Sequence, residues 1–369
     1  MKYTKQYSTN SAYDADNARI KPNVSLILED DSVKFNPFRI SGRVAKAGTI
    51  LLAKTATPTE KIFVPYESWD STTYSAYTPI GVVVVPFTHT PDNTVRVMSL
   101  KNMDLTSPDS GSVTQNGNYT KNSFYWGGAN LDAGLTKYNK IPNIDPANQN
   151  SGTVGLTDWV RIPSDYLTGG TASTLDEGTK YYNGTESGRF GISPYVTNDW
   201  KSYEALLIYK ASNLNCMLDY NGSGNTATIL AKDNAESTAW QTASTIVNNS
   251  GGTNVHAPAQ CCWRYSTVGT SQGEWYLPAC GELLYINPRY NDINNALKKL
   301  MAADSTNAVR LWNYGDSSTS VFGTWLWSST EFSVAHARLV SVDNGRVNYY
   351  AKNGSTTTNR VRAFAAFTV

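Results

Sequence analysis

The sequence predicts an α+β protein: a small all-β N-terminal unit, then a larger mixed domain interrupted by a long irregular insertion. Three observations predict it. Short apolar runs separated by Gly, Pro and Asp fill residues 24–65, as in small all-β units. One continuous apolar run, Ile80 to Pro86, reads as a strand covered on both faces. The stretch Trp325 to Val369 alternates apolar with varied polar side chains around an Asn344-Gly345 turn signal.

Taken in order, residues 1–20 are polar and unpatterned, and are expected to form a flexible or docking arm. The β unit is placed at 21–75, with strands over Val24 to Glu29, Phe38 to Ala45, Thr49 to Lys54 and Lys61 to Pro65. Its expected role is attachment or oligomerisation. The main domain is placed at 76–369. There, Thr94 to Leu100 is the expected partner of the Ile80 run, joined to it through the turn-forming Thr90-Pro91-Asp92-Asn93.

Residues from about 105 to 220 show no sustained period and are rich in Gly, Asn, Ser and Tyr, which predicts an irregular insertion. Its aromatic residues, Tyr125 and Trp126 among them, would form either a small core or a sugar-stacking platform, and the core is preferred. Helices are expected over Glu236 to Asn249, ended by Ser250-Gly251-Gly252, and over Gly281 to about Met301, broken near Pro288. The second would bury Ile293, Leu297 and Leu300. Strands over Ala337 to Val342, Arg346 to Lys352 and Arg360 to Phe367 close the chain.

Composition excludes some functions. At 369 residues the chain can bury a sizeable core. Charged residues make up 17%, below the usual figure of about 25%, while Tyr (23) and Trp (10) are abundant. This balance suits extracellular β proteins, adhesins and virion proteins better than cytosolic enzymes. A net charge of +1 leaves no electrostatic footprint for nucleic acid or an anionic membrane. No 18-residue apolar run predicts membrane insertion, and Met1 to Tyr7 lack the apolar core of a signal peptide. Cys216, Cys261, Cys262 and Cys280 read as buried thiols in a reducing compartment, with a Cys216–Cys280 bridge as the alternative.

Several motifs occur in a fixed order: Gly81 to Pro86, Gly224-Asn225-Thr226, Trp240 to Ile246, and Gly273-Glu274-Trp275-Tyr276-Leu277-Pro278. Glu282-Leu283, Trp327-Ser328-Ser329-Thr330-Glu331, Gly345 and Arg360-Val361-Arg362-Ala363-Phe364 complete the series. The series resembles the C-type lectin fold, in the retroelement-diversified form found in gut Bacteroides-type bacteria and their phages. Matches are dense over 224–369, sparse over 78–105, and absent from 105–220 and the N-terminal unit.

The resemblance implies a fixed scaffold of Trp275, Leu277, Pro278, Trp327, Ser328, Ser329, Val340, Val342, Gly345, Val347, Arg362 and Phe364. It also implies ligand-facing positions at Phe332, Val334, His336, Arg338, Ser341, Asp343, Asn344, Arg346, Asn348, Tyr350 and Asn353. Alternation of side chains on a strand agrees in principle, because outward residues can vary without disturbing an inner row.

No catalytic grouping is expected. The Glu-Pro-Asn and Trp-Asn-Asp motifs of calcium-dependent sugar binding do not occur, so no metal or other cofactor is expected. Cys261-Cys262 invites comparison with the formylglycine-generating enzymes of the same fold, but buried structural thiols are the preferred reading. Of the three histidines, His336 reads as a contact residue, and His89 and His256 as ordinary loop residues. Glu274 and Glu282 could pose as an acid–base pair, and read better as a helix-start carboxylate and a scaffold hydrogen bond.

The expected function is therefore non-enzymatic receptor binding by a phage fibre or capsid-decoration protein on the virion surface. Its partner would be a host cell-surface glycan or protein. Other virion proteins would bind the N-terminal region, and a homotrimer is the expected assembly. The alternatives are a purely structural virion decoration subunit and a bacterial surface adhesin module.

Overall fold

The computed structural model describes residues 39–90, 92–113, 124–127, 219–248, 256–311, 325–333, 336–342, 346–353 and 359–369. It also describes short strands at 5–7, 25–28, 33–35, 175–176 and 181–182. Helices and antiparallel sheets are both present, so the protein is α+β. Most of the insertion expected over about 105–220 lies outside the described residues.

Strands β1 (Lys5–Tyr7), β2 (Ser25–Leu28) and β3 (Val33–Phe35) form a small sheet. The main sheet contains β4 (Ile50–Lys54), β5 (Lys61–Val64), β6 (Tyr77–Val85) and β7 (Thr94–Ser99). Two further strands, β10 (Trp275–Tyr276) and β14 (Phe364–Thr368), extend it in the order β10-β14-β7-β6-β4-β5. A two-stranded ribbon, β8 (Leu175–Asp176) and β9 (Tyr181–Tyr182), stands apart in the pairing. The third sheet is β11 (Trp325–Ser333), β12 (His336–Ser341) and β13 (Arg346–Ala351), with β12 central.

The main sheet corrects the boundary expected at residue 75. β4 pairs antiparallel with β6, Ile50 opposite Val82, so residues 50–64 belong to the same sheet as the larger domain. The expected strand over Phe38 to Ala45 is instead a single bridge, Ile40 to Phe63, followed by a 3-10 turn at Gly42–Val44. Gly42 allows this close approach, since a Cβ there would meet the Val369 and Phe63 side chains.

The run at 80–85 lies inside the sheet, between β7 and β4, as its composition predicts. Successive residues serve opposite cores. Ile50, Leu52, Val82 and Met98 pack with Ile293, Leu297 and Leu300. Leu51, Ala53, Val83 and Val97 pack with Cys261, Cys262, Trp275 and Trp327. An antiparallel sheet covered on both faces thus shows continuous apolar runs where a half-exposed one would alternate.

Among the described residues four α-helices pack with the sheets: α1 (Gly222–Glu236), α2 (Ala257–Arg264), α3 (Cys280–Leu284) and α4 (Tyr290–Ala303). The break expected near Pro288 is a 3-10 turn, Asn287–Arg289, between α3 and α4. The helix expected over Glu236 to Asn249 is not formed. That segment holds one 3-10 turn, Ala239–Gln241, while the helix lies just before it in α1. The expectation followed apolar spacing, but α1 buries Asn225, Thr226 and Asp233 beside Ile229 and Leu230.

Candidate functional site

The C-terminal sheet is built around the Trp327-Ser328-Ser329-Thr330-Glu331 run, and most of its polar atoms are spent internally. Trp327 Nε1 donates to Phe124 O at 2.7 Å, and Trp126 Nε1 donates to Ser328 O at 2.7 Å. Ser328 Oγ donates to Arg338 O at 2.9 Å, and Ser329 N donates to Pro278 O at 2.8 Å. Thr330 Oγ1 donates to Asp219 Oδ2 at 2.7 Å and accepts from Cys280 N at 2.9 Å. Asn225 Nδ2 donates to the same carboxylate oxygen at 2.8 Å. One ring of buried hydrogen bonds therefore ties β11 to α1, α3 and the 124–127 segment.

A buried ion pair extends this frame. Lys352 Nζ donates to Glu331 Oε1 and lies 4.8 Å from the centre of the Trp126 ring. Both side chains are essentially inaccessible, at 0% and 2%. Trp126 N and Gly127 N also donate to Lys352 O, at 2.9 and 3.3 Å. Trp126 is thus a core residue, as the preferred reading of the insertion aromatics requires.

Against this frame the expected ligand row divides. Arg338 is 3% exposed and Ser341 is 1% exposed, so neither faces a ligand. The cause is the position of β12, flanked by β11 and β13 and covered on both faces. Ala337 and Leu339 enter one core, and Val340 and Val342 the other. Arg338 shares the parity of Val340 and Val342 and is drawn in with them.

Tyr350 pairs with Ala337 and packs partly buried against that residue's core, opposite to the Arg338 face. Arg338 and Tyr350 therefore share no common face. His336 and Asn353 are half-exposed. His336 pairs with Ala351, next to Tyr350, which gathers His336, Tyr350 and Asn353 at one end of the sheet. Ser333 pairs with His336, so Phe332 lies near the same end along the backbone. Arg346 pairs with Ser341 and Asn348 with Leu339, away from this rim. The positions Val334, Asp343 and Asn344 lie outside the described residues, as do the side chains of Phe332, Arg346 and Asn348.

The other ionisable candidates are internal. Glu282 is fully buried; its Oε1 accepts from Arg96 Nε at 2.9 Å and Tyr276 OH at 2.8 Å. Its Oε2 accepts from Ala279 N at 2.8 Å, the helix-start bond expected for it. Burial pushes the Glu282 carboxyl up to about 7, against the pull of Arg96 and these donors. Gly222 gives this carboxylate room, since a Cβ there would meet Glu282 Oε2. Arg362 is also fully buried, donating to Ser99 O at 3.0 Å and Val309 O at 2.6 Å, and burial lowers its pKa to about 9.

His256 corrects its reading as a loop residue. It is buried, with Nδ1 2.6 Å from Asp233 Oδ1, and it sets the start of α2 against the end of α1. The signal was Asp233 followed by His256 and Gln260, all of which converge on one carboxylate. Cys261 and Cys262 are buried free thiols, and burial pushes both well above the usual thiol range; Cys280 is buried as well. A thiol raised in this way is a poor nucleophile. Cys216 lies outside the described residues. Among those residues no group of three or more His, Cys, Asp and Glu could hold a metal ion, and no helix is long and apolar enough to cross a membrane.

Compared with known proteins, the chain matches no family model, no curated protein and no solved structure.

Proposed function

We propose that the protein is a non-catalytic receptor-binding protein of a phage particle, with a C-type lectin-like domain that holds its recognition surface at the rim of the C-terminal sheet. The observation that carries this reading is the division just described. A rigid, internally bonded frame surrounds Trp327, while His336, Tyr350 and Asn353 are half-exposed near one end of the sheet, His336 and Tyr350 on opposite faces of it. A stiff base with Tyr, His and Asn at its edge suits recognition, because contact is made at small entropic cost. The motif resemblance over 224–369 supports the same reading, and the target is a host cell-surface glycan or protein. Docking onto the particle, as a trimer, falls to the N-terminal region.

The test is binding to intact gut Bacteroides-type cells. Changing His336, Tyr350 and Asn353 together to Ala is expected to abolish binding and leave Tm within about 2 °C. Undiminished binding by that variant would overturn the proposal. The burial of Arg338 and Ser341 favours a second reading, a virion decoration subunit without a ligand. That protein would join particles normally yet bind no such cells.

A further inference from the structure

The main sheet curls so that the edge strand β5 and the end of β14 face one another across a cleft of about 690 Å³. Its walls include Arg39, Ser41, Lys61, Phe63, Phe367 and Val369. No carboxylate side chain stands among the described residues that line it. Lys61 Nζ lies 5.7 Å from the centre of the Phe367 ring, and just beyond Gly42 the Arg43 guanidinium lies 5.5 Å from the Phe87 ring. The nearest acid on the β4–β5 hairpin, Glu60, is taken by Lys54 at 3.0 Å. Of these two cations Lys61 lines the cleft, held over a phenyl ring and not over a carboxylate.

We propose that this cleft is a second binding site, for an acidic carbohydrate carrying uronate or sulfate groups. The charge favours an anion, and the half-exposed Phe367 offers a flat apolar surface to a sugar ring. Ser41, Thr59 and Thr368 place exposed hydroxyls around the opening. A peptide adding as a strand is the poorer fit, because Ile40 N already donates to Phe63 O at 2.9 Å and occupies the β5 edge. Nucleic acid would require a longer run of cations than this cleft carries. The site lies away from the rim of the C-terminal sheet and does not depend on its role.

Calorimetric titration of the full chain with tetragalacturonate, a chondroitin sulfate tetrasaccharide, neutral chitotetraose and a tetraglutamate peptide tests it. At least one acidic sugar is expected to bind about tenfold more tightly than chitotetraose or the peptide, and the preferred one identifies the anion. Lys61→Gln should weaken that binding about five- to tenfold without shifting Tm. Tyr350→Ala should leave it unchanged, which separates this site from the rim. The proposal is overturned if no acidic sugar saturates at millimolar concentration, or if chitotetraose or the peptide binds as well. Binding that survives Lys61→Gln, or fails in Tyr350→Ala, overturns it equally.

Discussion

The two larger sheets reach the same degree of burial by different chemistry. In the six-stranded sheet the interior is aliphatic: Ile50, Leu51, Leu52, Val82, Val83, Val84 and Val97 are all inaccessible. In the C-terminal sheet the interior is mixed: Leu326, Ala337, Leu339 and Val340 are buried, and Ser328, Ser329, Thr330, Glu331, Arg338, Ser341 and Lys352 are buried with them around Trp327. The first is held by non-directional area burial, which tolerates repacking. The second depends on directed bonds, each of which leaves a buried polar atom stranded if its partner is removed. A sheet of the second kind is stiff in one register, which suits a base for variable contacts.

This contrast can be broken or sharpened by substitution. The largest effect is expected at the buried ion pair. Lys352→Ala leaves Glu331 buried and uncompensated and should cost about 3–5 kcal/mol, measured by denaturant unfolding. The Lys352→Met, Glu331→Leu double variant should recover much of that loss, and a purely additive result would show that the two groups do not act as a pair. Leu51→Ala in the aliphatic sheet should cost about 2–5 kcal/mol, as a cavity. Here a second change in a neighbouring apolar residue should restore stability, because volume is all that is required.

Arg338→Ala and Tyr350→Ala give the next contrast. Arg338→Ala should lower Tm by several degrees, whereas Tyr350→Ala should change stability by only about 0.5–1 kcal/mol and act on binding. Equal and negligible thermal shifts would contradict the burial of Arg338. The smallest effect concerns pH. The folded protein raises the Glu282 carboxyl to about 7, mainly by burial. Stability from that group is therefore full below about 4.5, the carboxyl's ordinary value, and is lost as pH rises through about 7. The Tm of the wild type relative to Glu282→Gln should fall by a few degrees between pH 5 and 8. A gap that widens with pH would reverse the sign and refute the assignment.

Which parts of the fold could be read in advance follows from the same contrast. The aliphatic strands β4 to β7 and the helix α4 were legible because apolar spacing reports burial directly. The Asn-Gly and Trp-Ser-Ser signals likewise located β11, β12 and β13. Helix α1 was misplaced because half of its buried face is Asn225, Thr226 and Asp233, which carry no apolar period. Arg338 and Ser341 depart from the expected row for the same reason, since polar side chains on a strand ordinarily mark its outward face. The parity of Arg338 with Val340 and Val342 held the correcting signal. The division at residue 75 failed because pairing between β4 and β6 is set by tertiary register, which composition does not encode. The bond of His256 leaves no local pattern, since its partner Asp233 lies 23 residues earlier.

The most direct measurement is a saturation scan of residues 325–353, scored separately for folded yield and for cell binding. Arg338, Ser341, Glu331 and Lys352 are predicted to lose yield with nearly every substitution. His336, Tyr350 and Asn353 are predicted to keep yield and lose binding. Free substitution at Arg338 together with intolerance at Tyr350 would contradict a bonded interior carrying an open rim.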